Sequence, residues 1–553
     1  MAFIVKKTIH GNEYYYLNEN KREGDKVKTK TIAYLGKTKK EAEEKAKKIF
    51  KAPKLEKKKV ENEKIEMIHQ KISIEEMTAF CKRRGFVYPS GDIYGGLAGF
   101  WDFGHLGTEL ENNLKREWWK FHVYMRDDIV GIDGSILTNP KVWEASGHVE
   151  NFLDVAVACK KCGNKTKLDK HEVGKVNCEK CGGEFENKGE FNPMFQTQVG
   201  PVNEDSLKSY LRPETAQLIF TNFKYVYDNA RMKLPFGIAQ IGKSFRNEIA
   251  PRDFLFRTRE FEQMEIEYFV EPEQKCPYVL GDTKILVYSS EMQGAEIEPE
   301  KMTFKQAHKK GIIKTDWHAY WLEQEFSWFV DLGANPEKFR IRQHTSEEKS
   351  HYALDTWDLE YEFPFGWKEL EGMANRTDFD LKQHEKFSGK DLKIFDEKSK
   401  KKFLPHVVCE PSLGVGRAFL VFMFDAYYYD RERDNIVLKL HPKLAPIKAA
   451  VFPIVKRDDF EKMAENIVEE LRQDRNAIYD KSGSIGRRYA RNDEIGTPYC
   501  ITIDEDSLKK EDVTIRDRDT KKQIRVKISK LNKTLSELLD GKIKFEDVGK
   551  RIN

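Results

Sequence analysis

The chain lacks any run of 18 or more apolar residues, which excludes a hydrophobic helix long enough to span a bilayer. Its first residues, Met1-Ala2-Phe3-Ile4-Val5-Lys6-Lys7, turn charged too soon for a secretory signal, so a cytoplasmic protein with no membrane attachment is expected. Cysteine is scarce, with eight in 553 residues, and four of the eight stand as two Cys-x-x-Cys pairs. In a reducing compartment that pattern argues against disulfides and for a metal. Net charge is small as well: 96 Lys and Arg against 92 Asp and Glu leave +4. That balance suits local basic regions, and residues 1 to 54 hold fifteen Lys and Arg against seven Asp and Glu. The remainder is therefore slightly acidic.

The length allows about three or four domains. Alternating runs around Ile4 to Ile9, Tyr14 to Leu17 and Lys28 to Leu35, separated by His10-Gly11-Asn12 and Gly24-Asp25, predict a three-stranded meander with a helix over Lys39 to Phe50. A basic sheet carrying Tyr14, Tyr15, Tyr16 and Tyr34 suits RNA contact, and it equally suits a lysine-rich solubility module. Residues 55–72 continue the lysine-rich stretch after Pro53 as a linker. Ser73, with Glu76 three residues on, predicts a capped helix start. A second helix near Gly107 to Phe121 sets Leu110, Leu114, Trp118 and Phe121 on one stripe, and a strand near Ile129 to Asn139 ends at Pro140. From Lys439 strands and helices alternate. The expected elements are a strand over Ala449 to Val455, a helix over Asp459 to Arg472, a strand over Ala477 to Tyr479, a helix over Ile485 to Arg491, a strand over Tyr499 to Ile503, and two charged strands between Asp512 and Ile528. They predict a mixed sheet between helices. Arg487, Arg488, Arg491, Arg516 and Arg518 are candidate RNA contacts, against the plainer reading of a solvated charged face.

The stretches Gly242-Lys243-Ser244-Phe245-Arg246-Asn247-Glu248 and Arg257 to Phe269 alternate like paired strands. Met264, Ile266 and Tyr268 face one way; Phe261, Gln263, Glu265 and Glu267 face the other. Charge on a buried sheet face needs a charged ligand. Arg246 and Glu248 share a face, so a cation for a phosphate and an acceptor for an exocyclic amine converge, with Phe261 placed to stack on a base. An amphipathic hairpin carrying surface ion pairs is the plainer alternative. Separately, Cys159, Cys162, Cys178 and Cys181 form two knuckles fifteen residues apart, each followed by a glycine, Gly163 and Gly182. Four thiolates suit a structural Zn²⁺ and leave no open position for catalysis.

The arginine and glutamate hairpin resembles motif 2 of the class II aminoacyl-tRNA synthetases, and within them it resembles the glycyl-tRNA synthetase branch. Further phrases agree in the same order: Tyr94-Gly95-Gly96-Leu97-Ala98-Gly99-Phe100-Trp101-Asp102-Phe103-Gly104, Trp143-Glu144-Ala145-Ser146-Gly147-His148, Leu211-Arg212-Pro213-Glu214-Thr215-Ala216-Gln217, Trp367-Lys368-Glu369-Leu370-Glu371-Gly372 and Glu410-Pro411-Ser412-Leu413-Gly414-Val415-Gly416-Arg417. The resemblance implies an α+β fold in which an antiparallel sheet is flanked by helices. It places the catalytic domain at 73–438, with a zinc-knuckle insertion near 155–190 and another near 273–345. An α/β anticodon-binding domain follows at 439–553, and the basic module at 1–54 is an addition. It also implies a homodimer built on motif 1, the helix near Gly107 and the strand after it, and the ligation of glycine to tRNA(Gly) through glycyl-adenylate, with ATP and Mg²⁺.

The resemblance names residues for each ligand. Arg246, Glu369 and Arg417 are its catalytic set: Arg246 for the α-phosphate, Glu369 for Mg²⁺ and Arg417 for the γ-phosphate. Asn247, Glu248, Phe256, Arg257, Phe261, Leu370 and Gly414 complete the ATP site. Glycine is expected against Glu214, Phe261, Gln263, Glu265, Arg376, Glu410 and Ser412, with Ser412 as the wall against alanine; for Arg376 a plain salt bridge with Asp378 or Asp380 is the alternative. Two departures stand out. Lys167-Leu168-Asp169 replaces the Arg-Ala-Asp common in the family, keeping the charge but losing the bidentate fork. Cys409 looks like an extra residue, which unsettles the local register. The rival readings are a silent paralogue that binds RNA and a sibling synthetase for another small amino acid.

Overall fold

The computed structural model describes residues 2–9, 12–23, 26–36, 38–39, 72–168, 173–200, 207–348, 353–397 and 400–552. It forms two compact units, 1–70 and 71–553. In the first, β1 (Ala2–Ile9), β2 (Asn12–Glu23) and β3 (Lys26–Gly36) make the expected antiparallel meander. Nearly all of the helix expected over Lys39 to Phe50, and of the 55–72 linker, lies outside the described residues.

The second unit is built on nine strands: β4 (Ile129–Ile132), β5 (Phe236–Phe245), β6 (Glu260–Val270), β7 (Lys284–Tyr288), β8 (Glu300–Thr303), β9 (Phe339–Gln343), β10 (Asp355–Phe363), β11 (Gly366–Asn375) and β12 (His406–Gly414). They lie in the order β8-β7-β9-β10-β11-β12-β6-β5-β4, antiparallel except at β4/β5 and β7/β9. Six helices cover the sheet: α1 (Ile74–Arg84), α2 (His105–Trp119), α3 (Ala216–Ala230), α4 (Asp316–Asp331), α5 (Phe379–Ser388) and α6 (Val415–Ala426). Met264, Ile266 and Tyr268 of β6 are fully buried in one core with residues of α1, α2, α4 and α6. On the opposite face α3 and α5 pack over Phe236, Phe269 and Val407. That second layer is incomplete, and the gap it leaves is the cavity described below.

Several local expectations meet the structure directly. Ser73 and Glu76 form the capping box of α1, with bonds of 2.8 and 3.2 Å. Leu110, Leu114 and Trp118 of α2 are buried in this chain's own core. The strand expected over Ile129 to Asn139 is instead broken. β4 stops at Ile132, and Leu137–Thr138 pairs with Leu207–Leu211 in a separate sheet. The break centres on Gly134, whose carbonyl accepts from the buried Arg212 at 2.6 Å, and where a Cβ would lie 2.6 Å from Leu218. The register irregularity anticipated at Cys409 is a bulge: Tyr268 faces Cys409, but Phe269 faces Val407.

The C-terminal sheet comprises β13 (Ala449–Pro453), β14 (Ala477–Tyr479), β15 (Tyr499–Ile503), β16 (Asp512–Asp517), β17 (Gln523–Lys527) and β18 (Lys550–Ile552), ordered β14-β13-β15-β16-β17-β18. Helices α7 (Asp458–Leu471) and α9 (Ile528–Leu539) cover one face and α8 (Ile485–Glu494) the other. The mixed sheet between helices is as expected; α9 and β18 are additions to it. The arginine expectation needs correction. Arg488, Arg516 and Arg518 are buried, Arg516 holding Asp493 by two bonds of 2.8 and 2.9 Å, so they are internal braces and not an RNA surface.

Candidate active site

β5 ends at Phe245, so Arg246, Asn247 and Glu248 follow the strand instead of lying in it as the alternation predicts. Pairing still holds for one more residue, since the Arg246 N–H donates to the Arg259 carbonyl at 2.9 Å. The Arg246 guanidinium donates to the Pro213 carbonyl at 3.0 Å and stands 5.4 Å from the Phe261 ring centre. Both Arg246 and Glu248 face a cavity of about 250 Å³, so their convergence survives the loss of the strand.

The 3₁₀ turn Phe254–Phe256 and the chain after it bring Phe256 and Arg257 to that cavity. The sheet supplies its floor: Gln263 faces Gly414, while Ser412 faces Glu265 on one side and Gly372 on the other. Gln263 Nε2 donates to Ser412 Oγ at 3.1 Å. At the start of α6, where Gly414 leaves the end amides uncapped by a side chain, Arg417 meets Glu369 at 3.2 Å and lies 4.6 Å over the Phe256 ring. A helix start of this kind favours anions. Arg417 holds the Glu369 carboxyl below its ordinary range, with His344 and Arg246 helping against burial. Three guanidinium groups, the Lys167 ammonium, the carboxylates of Glu248 and Glu369 and two aromatic rings thus line one cavity.

Beside it lies a buried acidic cluster. Oxygens of Glu265, Glu267 and Glu410 all fall within 4.8 Å of one another. Arg376 donates to Glu410 at 2.7 Å and forks onto Asp380 at 2.7 and 2.9 Å. Glu214 is held by His148 at 3.3 Å and by Gln217 at 3.1 Å, and Thr215 donates to Glu265. Burial opposes ionisation of Glu214, but His148, Arg376 and Gln217 outweigh it and hold its carboxyl well below the usual range. For Glu265 burial and Glu214 win, pushing it up; for Glu267 burial and Glu410 push it far up. Glu410 is pushed up to about 8 by burial, with Arg376 pulling against. Among the described residues neither Glu267 oxygen has a hydrogen-bond partner. The cluster holds more carboxyl groups than its cations neutralise, and a further cation entering it would favour their ionisation.

Six expected residues are not among those lining the cavity: Glu214, Glu265, Arg376 and Glu410, which form the acidic cluster, and Leu370 and Asn247. Leu370 sits at a bulge, where Glu371 faces Leu359 and Glu369 faces Glu360, and its side chain drops into the core. Any contact of Leu370 with a nucleotide therefore falls to its backbone. Asn247 gives its N–H to the Pro193 carbonyl at 2.7 Å and is not on the cavity wall. Arg376 is buried in ion pairs with Asp380, the alternative weighed for it, and with Glu410. The residues that sequence reasoning missed are His148, Thr215 and Gln217. All three stand inside phrases already singled out, and for Thr215 and Gln217 proximity to Glu214 was the signal.

The four cysteines meet as expected. Cys159 Sγ lies 3.4 Å from Cys181 Sγ and Cys162 Sγ 3.7 Å from Cys178 Sγ, close to the roughly 3.8 Å edge of a tetrahedron with ~2.3 Å Zn–S bonds. Gly163 and Gly182 adopt φ of +70° and +68°, turning the chain under the sulfurs. A Cβ on Gly183 would stand 3.0 Å from Cys159 Sγ and 3.4 Å from Cys181 Sγ, so the cradle is shaped around the thiols. The donor set fits zinc.

Comparison with known proteins adds the following. A family model described as an anticodon binding domain matches residues 448–538, and one described as the N-terminal domain of IS1634 family transposases matches residues 4–63. A glycine–tRNA ligase of Treponema denticola is 43% identical over 471 residues, covering 83% of this chain and 96% of the relative. One from Geobacillus thermodenitrificans is 45% identical over 503 residues, covering 86% and 98%. Among solved structures, a prolyl-tRNA synthetase of Cryptosporidium parvum complexed with halofuginone and AMPPNP is similar in fold. Its TM-score is 0.51 at 16% identity, with 84% of this chain and 75% of that one covered.

Proposed function

The chain belongs to the glycine–tRNA ligase family, and on that premise we propose that ATP lies along Arg246, Arg257 and Arg417 while the glycine ammonium enters the acidic cluster at Glu214, Glu265 and Glu410. The enzyme ligates glycine to tRNA through glycyl-adenylate, releasing pyrophosphate and AMP. The observation that carries the residue roles is the polarity of the site: guanidinium groups line the cavity, and surplus carboxylate lies next to it.

In the first step a glycine carboxylate oxygen attacks the α-phosphorus, and the bond to the pyrophosphate oxygen breaks. The nucleophile is already ionised, so catalysis is positioning and charge neutralisation. Arg246 neutralises the α-phosphate; Arg257 and Arg417 take the β/γ end. Glu369, which pairs with Arg417, would offer an oxygen ligand to the Mg²⁺ that accompanies ATP. Phe261 stacks on adenine and Glu248 accepts from its amine. In the second step a terminal ribose hydroxyl of tRNA attacks the glycyl carbonyl and AMP leaves. The four cysteines would hold a structural zinc, which would tie the two knuckles together.

We also propose a homodimer. Tyr124, Met125, Ile136 and Leu137, beside the ends of α2 and β4, are exposed apolar residues that a second copy would cover. Sedimentation of the purified protein at the mass of one chain would exclude it.

The deciding assay is glycine-dependent pyrophosphate exchange into ATP. Arg246→Ala is expected to abolish exchange with the fold intact, and exchange retained by that variant overturns the assignment. Alanine and serine in the same assay separate a sibling specificity.

A further inference from the structure

The four-cysteine knuckle and the nucleotide cavity touch at two places. The strand Asp154–Cys159 pairs with Lys165–Leu168, so that Ala156 faces Lys167, and the turn between them is the first Cys-x-x-Cys knuckle. Lys167 leaves that hairpin toward the cavity and forms part of its wall. Its Nζ lies 2.9 Å from Asp154 Oδ2 and 3.6 Å from Glu248 Oε2. Among the described residues Glu248 Oε2 is buried without a hydrogen bond, and the Lys167 ammonium is the cation paired with it. The second touch is weaker: Glu179, inside the second knuckle, lies 3.4 Å from Arg252 in the loop that carries Phe256, and both side chains are exposed.

The hairpin belongs to a three-stranded sheet, in which the strand Phe185–Phe191 pairs with Asp154–Cys159. Its own apolar cluster is three buried residues, Val155, Val157 and Leu168, with Val173 and Phe185 at the edge. A core that small leaves the knuckle end of the sheet weakly held, and a bound metal would add rigidity there.

We infer that the cysteine knuckle sets the affinity for ATP, with Lys167 as the positioning residue that carries the effect to Glu248. With metal bound, the hairpin fixes Lys167 between Asp154 and Glu248, which stabilises Glu248 as a carboxylate acceptor at the adenine end. When the metal leaves, the hairpin loosens, Lys167 swings into solvent and Glu248 faces the cavity uncompensated. The inference rests on the reading of the cavity as the ATP site.

The test is direct binding of Mg·ATP by calorimetry, without glycine, on the full-length protein. Wild type, Lys167→Ala and Lys167→Arg are each measured with metal bound and after chelation, the protein being returned to Mg²⁺ buffer and its zinc content determined. Lys167→Ala is expected to weaken binding roughly tenfold, the worth of one well-placed charge contact. Chelation should weaken wild type by a similar factor, add little in Lys167→Ala, and be reversed by zinc. Lys167→Arg should bind like wild type. Equal effects of chelation in wild type and Lys167→Ala, unchanged wild-type affinity after chelation, or protein that carries no metal would each overturn the coupling. Thermal melting of each sample shows that the fold persists. Arg246→Ala serves as the control for the cavity itself: ATP binding unchanged in that variant refutes the site assignment, whereas loss there without loss in Lys167→Ala refutes the coupling alone.

Discussion

Glu410 and Ser412 stand two residues apart on β12, and each makes a distinct demand on the amino acid. Burial pushes the Glu410 carboxyl up to about 8, Arg376 pulling against it and Glu265 and Glu214 adding to it. Below that pH the empty site holds a proton that an ammonium must displace. Affinity for glycine is therefore fully present above the raised value and is lost as pH falls, by up to about tenfold per unit. The KM for glycine in pyrophosphate exchange should fall as pH rises from about 6 to 8, and Glu410→Gln should raise it and flatten the profile. A flat wild-type profile would remove Glu410 from the ammonium site. Ser412 makes a steric demand instead, since its hydroxyl is pinned by Gln263 at 3.1 Å and it lines the cavity. Ser412→Gly should admit a methyl group and cut the glycine over alanine ratio by roughly tenfold, within the about 1 to 3 kcal/mol that one methylene discriminates. An unchanged ratio would place the wall elsewhere.

The elements of the site were legible to differing degrees, and the reasons are physical. Period-two alternation in β6 separated Met264, Ile266 and Tyr268 from the polar face because one side of that strand is core and the other is site. Local chemistry likewise marked the α1 capping box and the two knuckles, since both depend on residues close in sequence. What alternation could not show was where it stops. β5 ends before Arg246, and a bulge at Leu370 sends that side chain to the core, both being outcomes of pairing with distant strands. Burial of arginines was equally hidden: Arg516 reads as surface charge until α8 brings Asp493 over it. Asp493 also accepts from Arg433 at 2.9 Å, which lies outside the C-terminal sheet and joins it to the catalytic part. Asp493→Ala leaves the buried Arg516 without its carboxylate, while Arg433 keeps Asp430, and should lower stability by about 3 to 5 kcal/mol in urea unfolding, with the C-terminal sheet affected first. Arg487→Ala, near the exposed start of α8, should leave stability unchanged; equal losses would deny Asp493 its role as a brace.

At the scale of the whole molecule, charge and chemistry are separated along the chain. Residues 1 to 54 carry a surplus of eight positive charges while the chain as a whole carries +4, so the unit holding the catalytic and anticodon-binding parts is slightly acidic. A slightly acidic body gains little from the general attraction that draws proteins to a phosphate backbone, and affinity for RNA then depends on where the cations are gathered. The adenylate step involves only small ligands, and the cavity proposed for it is lined, among the described residues, by the second unit. Deleting residues 1–70 should therefore leave glycine-dependent pyrophosphate exchange unchanged while weakening tRNA binding. The dependence of log affinity on log salt is the sharper readout, because each phosphate neutralised contributes close to one unit of slope on a duplex. If the basic unit lies against the tRNA, its removal should flatten that slope by about the number of phosphates it covers. An unaltered slope would mean that these lysines only keep the protein soluble, and that the tRNA is held by the second unit alone.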